Sequence, residues 1–394
     1  MIDPKIVQAA FTAEHGEPGR LFYAPGRVNL IGEHTDYNDG FVLPMAIDRG
    51  TWVAGRVRRD RKVRVRSANI EGAIELDLDL AGPRRRGTWQ DYIEGVAQAL
   101  GAQRLVGADL FLNGDVPAGA GLSSSASVEV AVGLALLGLA GVAKLDGTGL
   151  VDTKLGTEIA LAAQRAEHDY VGTKCGIMDQ LVAALGREDH ALFIDCRSVE
   201  ATPVPLALPD AVVLICDSKV KHSLASSAYN DRRKACEDAV ALLATTLPGI
   251  RSLRDVSSAD FATHAAALPD ELRRRARHVV GEIERTVAAA DALRRGDLVT
   301  MGAHMNASHA SLRDDYAVSC EELDVLCDIA QRQDGVFGAR MTGGGFGGCT
   351  VNIVAERALE HTKRALVDGY QARFGKAPDL FVSRAQAGAR ELLS

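Results

Sequence analysis

The chain has 394 residues, of which 47% are hydrophobic and 25% charged, so it is long enough for two or three domains and too apolar for a disordered protein. Its net charge of -7 provides no general basic field, which argues against nucleic acid as a partner. The seven cysteines form no CxxC pair, and the longest apolar run, residues 130–143, is too short and too glycine-rich to span a bilayer. With no signal peptide at the N-terminus, we expect a cytoplasmic protein without membrane contact.

Strands dominate the first third of the predicted structure. Alternating or β-branched patterns predict strands at residues 21–31, 41–47, 52–57, 63–66 and 74–80. The dipeptide Asp39-Gly40 predicts a tight hairpin turn, because both residue types tolerate positive φ. From Trp89 the pattern becomes helical. A short strand at 108–113 then leads into a glycine-rich loop, a helix of small residues and a further helical segment at 157–170.

The rest of the chain mixes strands and long helices. We predict strands near 191–195, 212–216, 337–341, 349–354 and 379–383, and helices at about 223–245, 270–293, 297–312 and 319–333. Because no regular βαβα alternation appears, the fold class is α+β and not a doubly wound sheet. Three prolines within residues 201–210 mark the best domain boundary, which divides the chain into residues 1–205 and 206–394.

Residues 115–127 (DVPAGAGLSSSAS) place two glycines and a serine cluster between a strand and a helix. Glycines allow close approach of a ligand, and the free N–H groups at a helix start favour an anion such as phosphate. Serine hydroxyls add donors and can ligate Mg²⁺. The alternative is an ordinary loop with a serine N-cap, but three consecutive serines exceed what a cap needs. The Walker A and protein-kinase signatures are absent from the sequence.

Residues 342–348 (TGGGFGG) formally match GxGxxG. A dinucleotide-binding fold requires a helix after this motif, whereas residues 349–354 read as a strand. The Rossmann interpretation therefore fails. A tight turn and a loop packed closely against a ligand or another backbone remain equally open.

Residues 26–40 (GRVNLIGEHTDYNDG) concentrate arginine, glutamate, histidine and aspartate directly after an apolar strand. Carboxylates in this density suit a polyhydroxylated ligand, since each can accept from two hydroxyls. The segment does not show the residue spacing expected of metal ligands. The structural alternative to a binding site is a polar turn whose aspartates cap backbone groups. A binding site is favoured by the number of functional side chains. Glu167 and Asp179, taken alone, are better explained as helix caps than as catalytic groups.

Together these stretches resemble a known family. Residues 26–40 resemble the galactokinase signature, 119–127 the phosphate loop, and 341–348 the third motif of the kinase superfamily that groups galactokinase with homoserine, mevalonate and phosphomevalonate kinases. The motifs occur in the expected order. The resemblance implies an N-terminal α/β domain and a C-terminal α+β domain with the active site between them.

The implied activity is transfer of the ATP γ-phosphate to the C1 hydroxyl of galactose, the first committed step of galactose catabolism. Mg²⁺ is the implied cofactor, and we expect a monomer. A kinase for N-acetylgalactosamine or another galactose-like sugar is one alternative. A regulator that binds sugar and ATP without turnover is another, although the intact serine loop and Asp179 argue against it.

The resemblance also assigns residues. Asp179 is implied beside the anomeric hydroxyl and Arg27 beside that carboxylate and the transferring phosphate. The implied sugar-binding residues are Glu33, His34, Thr35, Asp36, Gly176, Asp179 and Tyr229. The implied ATP-binding residues are Ser67, Gly119, Ala120, Gly121, Leu122, Ser123, Ser124 and Ser125, with Ser125 and Glu167 as the Mg²⁺ ligands. Lys174 and Lys221 depart from the family pattern and are expected to affect contacts only at the margin.

Overall fold

The computed structural model describes residues 2–80, 85–143, 145, 148–206, 208, 210–220 and 225–392. Lys221 lies outside the described residues. The strands are β1 (Arg20–Asn29), β2 (Phe41–Val42), β3 (Pro44–Val57), β4 (Lys62–Ser67), β5 (Ala73–Asp77), β6 (Ala108–Gly114), β7 (His190–Asp195), β8 (Glu200–Pro205), β9 (Ala211–Asp217), β10 (Val336–Thr342), β11 (Cys349–Ala355), β12 (Asp379–Ser383) and β13 (Arg390–Leu392). The helices are α1 (Pro4–His15), α2 (Gln90–Leu100), α3 (Ser124–Leu139), α4 (Thr153–Ala166), α5 (Met178–Leu185), α6 (Ala225–Leu243), α7 (Ser258–His264), α8 (Asp270–Arg294), α9 (Leu298–Ser311), α10 (Glu321–Gln331) and α11 (Leu359–Phe374).

The larger sheet has the strand order β13-β1-β3-β6-β4-β5. Helices α2, α4 and α5 pack around α3, which lies on β1 and β3. Helix α3 is apolar on all sides because it is enclosed between this sheet and its neighbouring helices, and its residues from Val130 to Leu139 are all buried. The helix that follows the serine loop is therefore part of the core of the larger sheet.

A second, antiparallel sheet has the order β10-β11-β9-β12, and a third has the order β2-β7-β8. Helices α9 and α10 pack on β10, and α8 packs on α9. One apolar core joins the second sheet to the first part of the chain, since Val28 and Leu30 share it with Ile215 and Val351. The mixture of sheets and helices confirms the α+β fold class.

The predicted hairpin turn at Asp39-Gly40 is wrong. Residues Asp36–Asn38 form a single 3₁₀ turn, and only Asp39 of the pair has positive φ (58°). Gly40 is needed for space instead, because a Cβ there would lie 2.8 Å from the carbonyl oxygen of Thr35. The chain after this turn pairs with β7, through Phe41 opposite Asp195, so a distant strand determines the loop conformation.

Several element boundaries also differ from the predictions. The strands predicted at 41–47 and 52–57 are largely one long strand, β3, and the helix predicted at 157–170 begins earlier and ends in a π-type turn over Glu167–Val171. Helices α1, α7 and α11 lie in segments for which the sequence patterns predict no element. The proline-rich segment contains β8, an edge strand that pairs with β7 alone, where proline is tolerated.

The domain division at residue 205/206 stays a prediction. The C-terminal strand β13 returns to the larger sheet and pairs with β1, with Leu392 opposite Leu21. The second part of the chain therefore contributes one strand to the sheet of the first part.

Candidate active site

A cavity of about 310 Å³ lies where the loops of the two parts of the chain meet. Most of the residues implied by the family resemblance line it together, although they are spread over some 200 positions. These are Arg27, Glu33, His34, Asp36, Gly119, Gly121, Ser123, Ser124, Ser125, Glu167, Gly176, Asp179 and Tyr229. Thr35, Ala120, Leu122 and Ser67 do not line this cavity.

Asp179 is oriented by two side chains from other parts of the fold. It lies in the first turn of α5, where its Oδ1 accepts from Nε of Arg27 at 2.7 Å and its Oδ2 accepts from Oγ of Ser123 at 2.5 Å. Arg27, which is 4% exposed, also donates to the carbonyl oxygen of Gly121 at 2.6 Å. Arg27 thus connects the carboxylate to the serine loop and balances its charge.

The serine loop enters α3 through left-handed backbone at Gly119 (φ 70°), Gly121 (φ 75°) and Ser123 (φ 60°). Helix α3 begins at Ser124 and has no side-chain cap, because the Ser123 hydroxyl is bonded to Asp179 instead. The ordinary N-cap interpretation of these serines is therefore not observed. An uncapped helix start facing a cavity is an anion-binding arrangement.

The glycine-rich third motif connects β10 to β11, and its glycines are required by close packing. A Cβ on Gly343 (φ 83°) would lie 2.7 Å from the oxygen of Gly121, and one on Gly348 (φ 82°) would lie 2.6 Å from the oxygen of Ala120. Of the two alternatives left open by the sequence, the loop packed against another backbone is the observed one. Residues 343–346 also line the cavity.

Glu33 is buried and uses both carboxylate oxygens within the protein. Its Oε2 is 2.7 Å from Nη1 of Arg340 and accepts from Nδ2 of Asn29 at 2.6 Å, while its Oε1 accepts from the N–H of Gly343 at 2.8 Å. Burial raises the pKa of Glu33, and the charge of Arg340 opposes that shift. Glu33 therefore joins the loop after β1 to the third motif.

His34 and Asp36 present polar atoms to the same cavity. Burial and the neighbouring His278 lower the pKa of His34 to about 3, so its imidazole is neutral. Burial and the like charge of Asp179 raise the pKa of Asp36 to about 7. Gly176 makes room for Asp36, because a Cβ at residue 176 would lie 1.9 Å from the Asp36 Oδ2.

Thr35 and Tyr229 support this loop in different ways. The Thr35 hydroxyl is buried and lies 2.9 Å from the carbonyl oxygen of Gly32 and 2.6 Å from that of Phe41, so it faces the protein. Tyr229, on α6, packs its ring 5.4 Å from that of His34.

Lys174 is exposed and does not line the cavity.

Glu167 follows α4 and is 6% exposed. Burial raises the pKa of this carboxyl to about 7, while a hydrogen bond from Ser125 opposes the shift. Among the residues that the structure describes, no group of three or more His, Cys, Asp or Glu side chains is arranged to hold a metal.

A second cavity of about 510 Å³ adjoins the first and shares the start of α3 with it. Ser67, one of the implied ATP-binding residues outside the main cavity, lines this second space together with the apolar residues Trp89, Leu112 and Val128. Ser124 and Ser125 line both cavities, and the two spaces together are called the cleft below.

Comparison with known proteins identifies the family. Residues 9–57 match the galactokinase galactose-binding signature, residues 91–187 the N-terminal domain of GHMP kinases and residues 289–370 their C-terminal domain. The chain is 52% identical to galactokinase from Chloroflexus aurantiacus, covering 98% of this chain and 97% of that one, and 45% identical to human galactokinase, covering 97% and 95%. The chain belongs to the galactokinase family.

Solved structures agree with this assignment to the galactokinase family. A crystal structure of Lactococcus lactis galactokinase complexed with galactose superposes with a TM-score of 0.91 at 36% identity, covering 99% of both chains. Mevalonate kinase from Methanococcus jannaschii shares the fold alone, with a TM-score of 0.63 at 18% identity over 93% of this chain. The two-domain GHMP-kinase fold expected from the motifs is thus confirmed.

Members of the galactokinase family are ATP-dependent phosphotransferases that act on a sugar hydroxyl, with ATP as co-substrate. Helices long and apolar enough to cross a membrane are absent from the described part of the chain.

Some residues that shape the site carried no usable signal in the sequence. Arg340 reads as an isolated charge within a predicted strand, yet it is fully buried against Glu33. Tyr92 lies in a predicted helix and lines both cavities. Phe346 could have been noticed as the one aromatic side chain within the third glycine-rich motif.

Proposed function

We propose that this chain transfers the γ-phosphoryl group of ATP to the C1 hydroxyl of galactose, giving galactose 1-phosphate and ADP. One observation carries the proposal: the carboxylate of Asp179 is held by Arg27 and Ser123 at the point where the sugar-signature loop meets the serine loop. A reacting hydroxyl and a terminal phosphate would meet at this carboxylate.

The sugar would occupy the part of the cavity bounded by His34, Asp36, Gly176 and Tyr229. Asp36 would accept hydrogen bonds from sugar hydroxyls, and His34, whose lowered pKa keeps the ring neutral, would add one polar ring nitrogen. Glu33 would act mainly by holding the loop in place, because both of its oxygens have protein partners. Thr35 would likewise shape the loop, since its hydroxyl contacts backbone oxygens.

ATP would place its phosphates at the serine loop and its base in the adjoining apolar cavity. The uncapped start of α3 supplies backbone N–H groups for phosphate oxygens. Ala120 and Leu122 would contribute only their main chain, because their side chains are buried. Ser67 lines this adjoining cavity and would contact the nucleoside part of ATP.

In the reaction, a bond forms between the C1 oxygen and the γ-phosphorus while the bond from that phosphorus to the β,γ-bridging oxygen breaks. Asp179 would accept the hydroxyl proton or hold the hydroxyl in line for attack. Arg27 would offset negative charge on the transferring group. Its contact with the Gly121 carbonyl keeps this cation beside the phosphate loop.

Ser125 and Glu167 would hold Mg²⁺. The fit rests on Glu167, a buried carboxyl whose pKa is raised by burial and whose charge a cation would compensate. In kinases Mg²⁺ commonly uses one or two protein carboxylates together with substrate phosphates, so two protein ligands suffice. When bound, Mg²⁺ would neutralise charge on the ATP phosphates. Action as a monomer in the cytoplasm completes the proposal.

The test is ADP release by the purified chain with ATP and Mg²⁺, in the presence of galactose, N-acetylgalactosamine, glucose or no sugar. Galactose-dependent release, with ³¹P NMR placing the phosphate on C1, is the expected result. Turnover with the N-acetyl sugar alone would change the substrate and keep the mechanism. Binding of both ligands without turnover would favour the regulator, and no sugar binding would overturn the proposal.

A further inference from the structure

Behind His34 runs a chain of hydrogen bonds that leads away from the cavity. Nδ1 of His34 lies 2.7 Å from the Tyr37 hydroxyl, which lies 2.8 Å from the Tyr316 hydroxyl, which lies 3.2 Å from Sγ of Cys236. Tyr316 and Cys236 are buried. The chain therefore links the sugar-signature loop to the turn after α9 and to α6 without passing through solvent.

His34 ends this chain with one ring nitrogen free. Its Nε2 is buried and has no hydrogen-bond partner of full geometry among the described residues, and His34 lines the cavity. Because the imidazole is neutral, one nitrogen carries the proton and the other a lone pair. If the Tyr37 hydroxyl donates to Nδ1, then Nε2 carries the proton and presents it to a ligand. If the hydroxyl accepts from Nδ1, then Nε2 presents a lone pair.

The chain can run in two directions. If Cys236 donates to Tyr316, Tyr316 to Tyr37 and Tyr37 to Nδ1 of His34, every proton along the chain has an acceptor, and the ring proton lies on Nε2. The reverse direction puts the ring proton on Nδ1 and leaves a lone pair on Nε2.

The Cys236 end of the chain favours the first direction. The thiol is buried and its Sγ lies 3.2 Å from the Tyr316 hydroxyl. In the first direction this hydroxyl accepts the thiol proton. In the reverse direction the Tyr316 proton lies between the two atoms and the thiol proton loses this acceptor, which is unfavourable for a buried donor.

We propose that Tyr37, Tyr316 and Cys236 are positioning residues that hold His34 with its proton on Nε2, so that His34 donates a hydrogen bond to a hydroxyl oxygen of the sugar. The identity of the ligand rests on the proposed function. His34 and Asp36 are then complementary: the first donates and the second accepts. A sugar whose substituent opposite His34 cannot accept a hydrogen bond is selected against.

The tautomer can be measured without substrate, by ¹⁵N NMR of the full chain labelled at histidine. The His34 signals are identified by their absence in His34→Gln. We expect a protonated Nε2 and an unprotonated Nδ1 in the parent chain, and a shift of population towards protonated Nδ1 in Tyr37→Phe and in Tyr316→Phe. A protonated Nδ1 in the parent chain, or an unchanged tautomer in folded Tyr37→Phe, overturns the proposal.

Two further variants separate positioning from general loss of structure. Tyr370→Phe is the matched control, because it removes another buried hydroxyl that donates at 2.8 Å, to the Ser218 carbonyl, outside the cavity. It should leave the His34 signals in place. Cys236→Ser keeps a donor at the end of the chain and should retain the parent tautomer, whereas Cys236→Ala should not. Equal spectra for the serine and alanine variants would remove Cys236 from the chain.

Kinetics then connect the tautomer to the sugar. Tyr37→Phe should raise KM for galactose about three- to tenfold, as expected for one weakened hydrogen bond, with a smaller change in KM for ATP. Among monodeoxygalactoses, the increase should vanish for the one that lacks the hydroxyl opposite His34. An equal increase for all of them overturns the proposal. If the parent chain turns over no sugar, the proposed function fails while the NMR result still stands.

Discussion

The two halves of the cleft are built from different parts of the polypeptide. On the sugar side, side chains form the surface of the cleft, and Glu33, His34 and Asp36 are held in place by hydrogen bonds and an ion pair. On the phosphate side, the backbone forms this surface. There the loop before α3 and the third motif approach each other so closely that a Cβ on Gly343 would lie 2.7 Å from the Gly121 oxygen.

This difference follows from the ligands. A sugar presents hydroxyls in a fixed stereochemical arrangement, so side chains of defined donor or acceptor character are needed to distinguish them. A phosphate presents equivalent oxygens, which main-chain N–H groups at a helix start can bind. We therefore expect the sugar side to respond to isosteric changes of polar atoms and the phosphate side to respond to added volume.

The largest effect on activity is expected at Asp179, where the sugar side and the phosphate side of the cleft meet. Asp179→Asn keeps the shape of the side chain and removes the carboxylate that would accept the hydroxyl proton, so kcat should fall by about 10²–10⁴-fold. ATP affinity, measured by calorimetry, should change little. Asp368→Asn, on the exposed face of α11, is the control for loss of one charge. Turnover near that of the parent chain would exclude Asp179 from the reaction.

The next effect concerns stability on the sugar side. Arg340→Met leaves the buried carboxylate of Glu33 without its cation, so the free energy of unfolding should fall by about 3–5 kcal/mol, measured by urea denaturation. The exposed pair of Arg373 and Glu321 provides the comparison, and Arg373→Met should cost less than about 1 kcal/mol. Similar losses for both variants would contradict the structural role given to the buried pair.

On the phosphate side, two glycines with similar φ separate backbone strain from steric overlap. Gly348→Ala (φ 82°) would place a Cβ 2.6 Å from the Ala120 oxygen, whereas Gly375→Ala (φ 69°) has nothing within 4 Å. Both should lose about 1–2 kcal/mol of stability from the left-handed backbone. Gly348→Ala alone should also raise KM for ATP, by more than its effect on KM for galactose. Equal KM values for ATP in the two variants would show that the contact between the two loops does not shape the nucleotide site.

The smallest effect is a pH dependence on the sugar side. Because the pKa of Asp36 is raised from 3.8 to about 7 in the folded state, its contribution to stability is fully present below pH 4 and is lost as pH rises through 7. Asp36→Asn does not titrate and can still accept the hydrogen bond from the Tyr37 N–H. Without ligands, its Tm should exceed that of the parent chain at pH 8, and the difference should shrink towards pH 5. A difference independent of pH would contradict the raised pKa.

The sequence by itself determined the α+β class, most of the strands and long helices, and the four motifs. These features can be recognised within short segments, because they depend on periodicity and on local clusters of glycine, serine and carboxylate residues. It also identified the loop after β1 and the serine loop as candidate binding loops, and both line the main cavity. Even so, Glu167 and Asp179 became site candidates only through the family resemblance, since a single acid at a helix start is ordinary.

Tertiary structure alone decided how these parts meet. No local pattern shows that Arg27 contacts Asp179 across 152 positions, that Arg340 neutralises Glu33, or that β2 pairs with β7 and not with β1. The predicted turn at Asp39-Gly40 failed for the same reason, because its conformation depends on a strand far along the chain. Long-range packing and the compensation of buried charge act between segments that are far apart in the chain. A short window of sequence therefore does not contain both partners of such a contact.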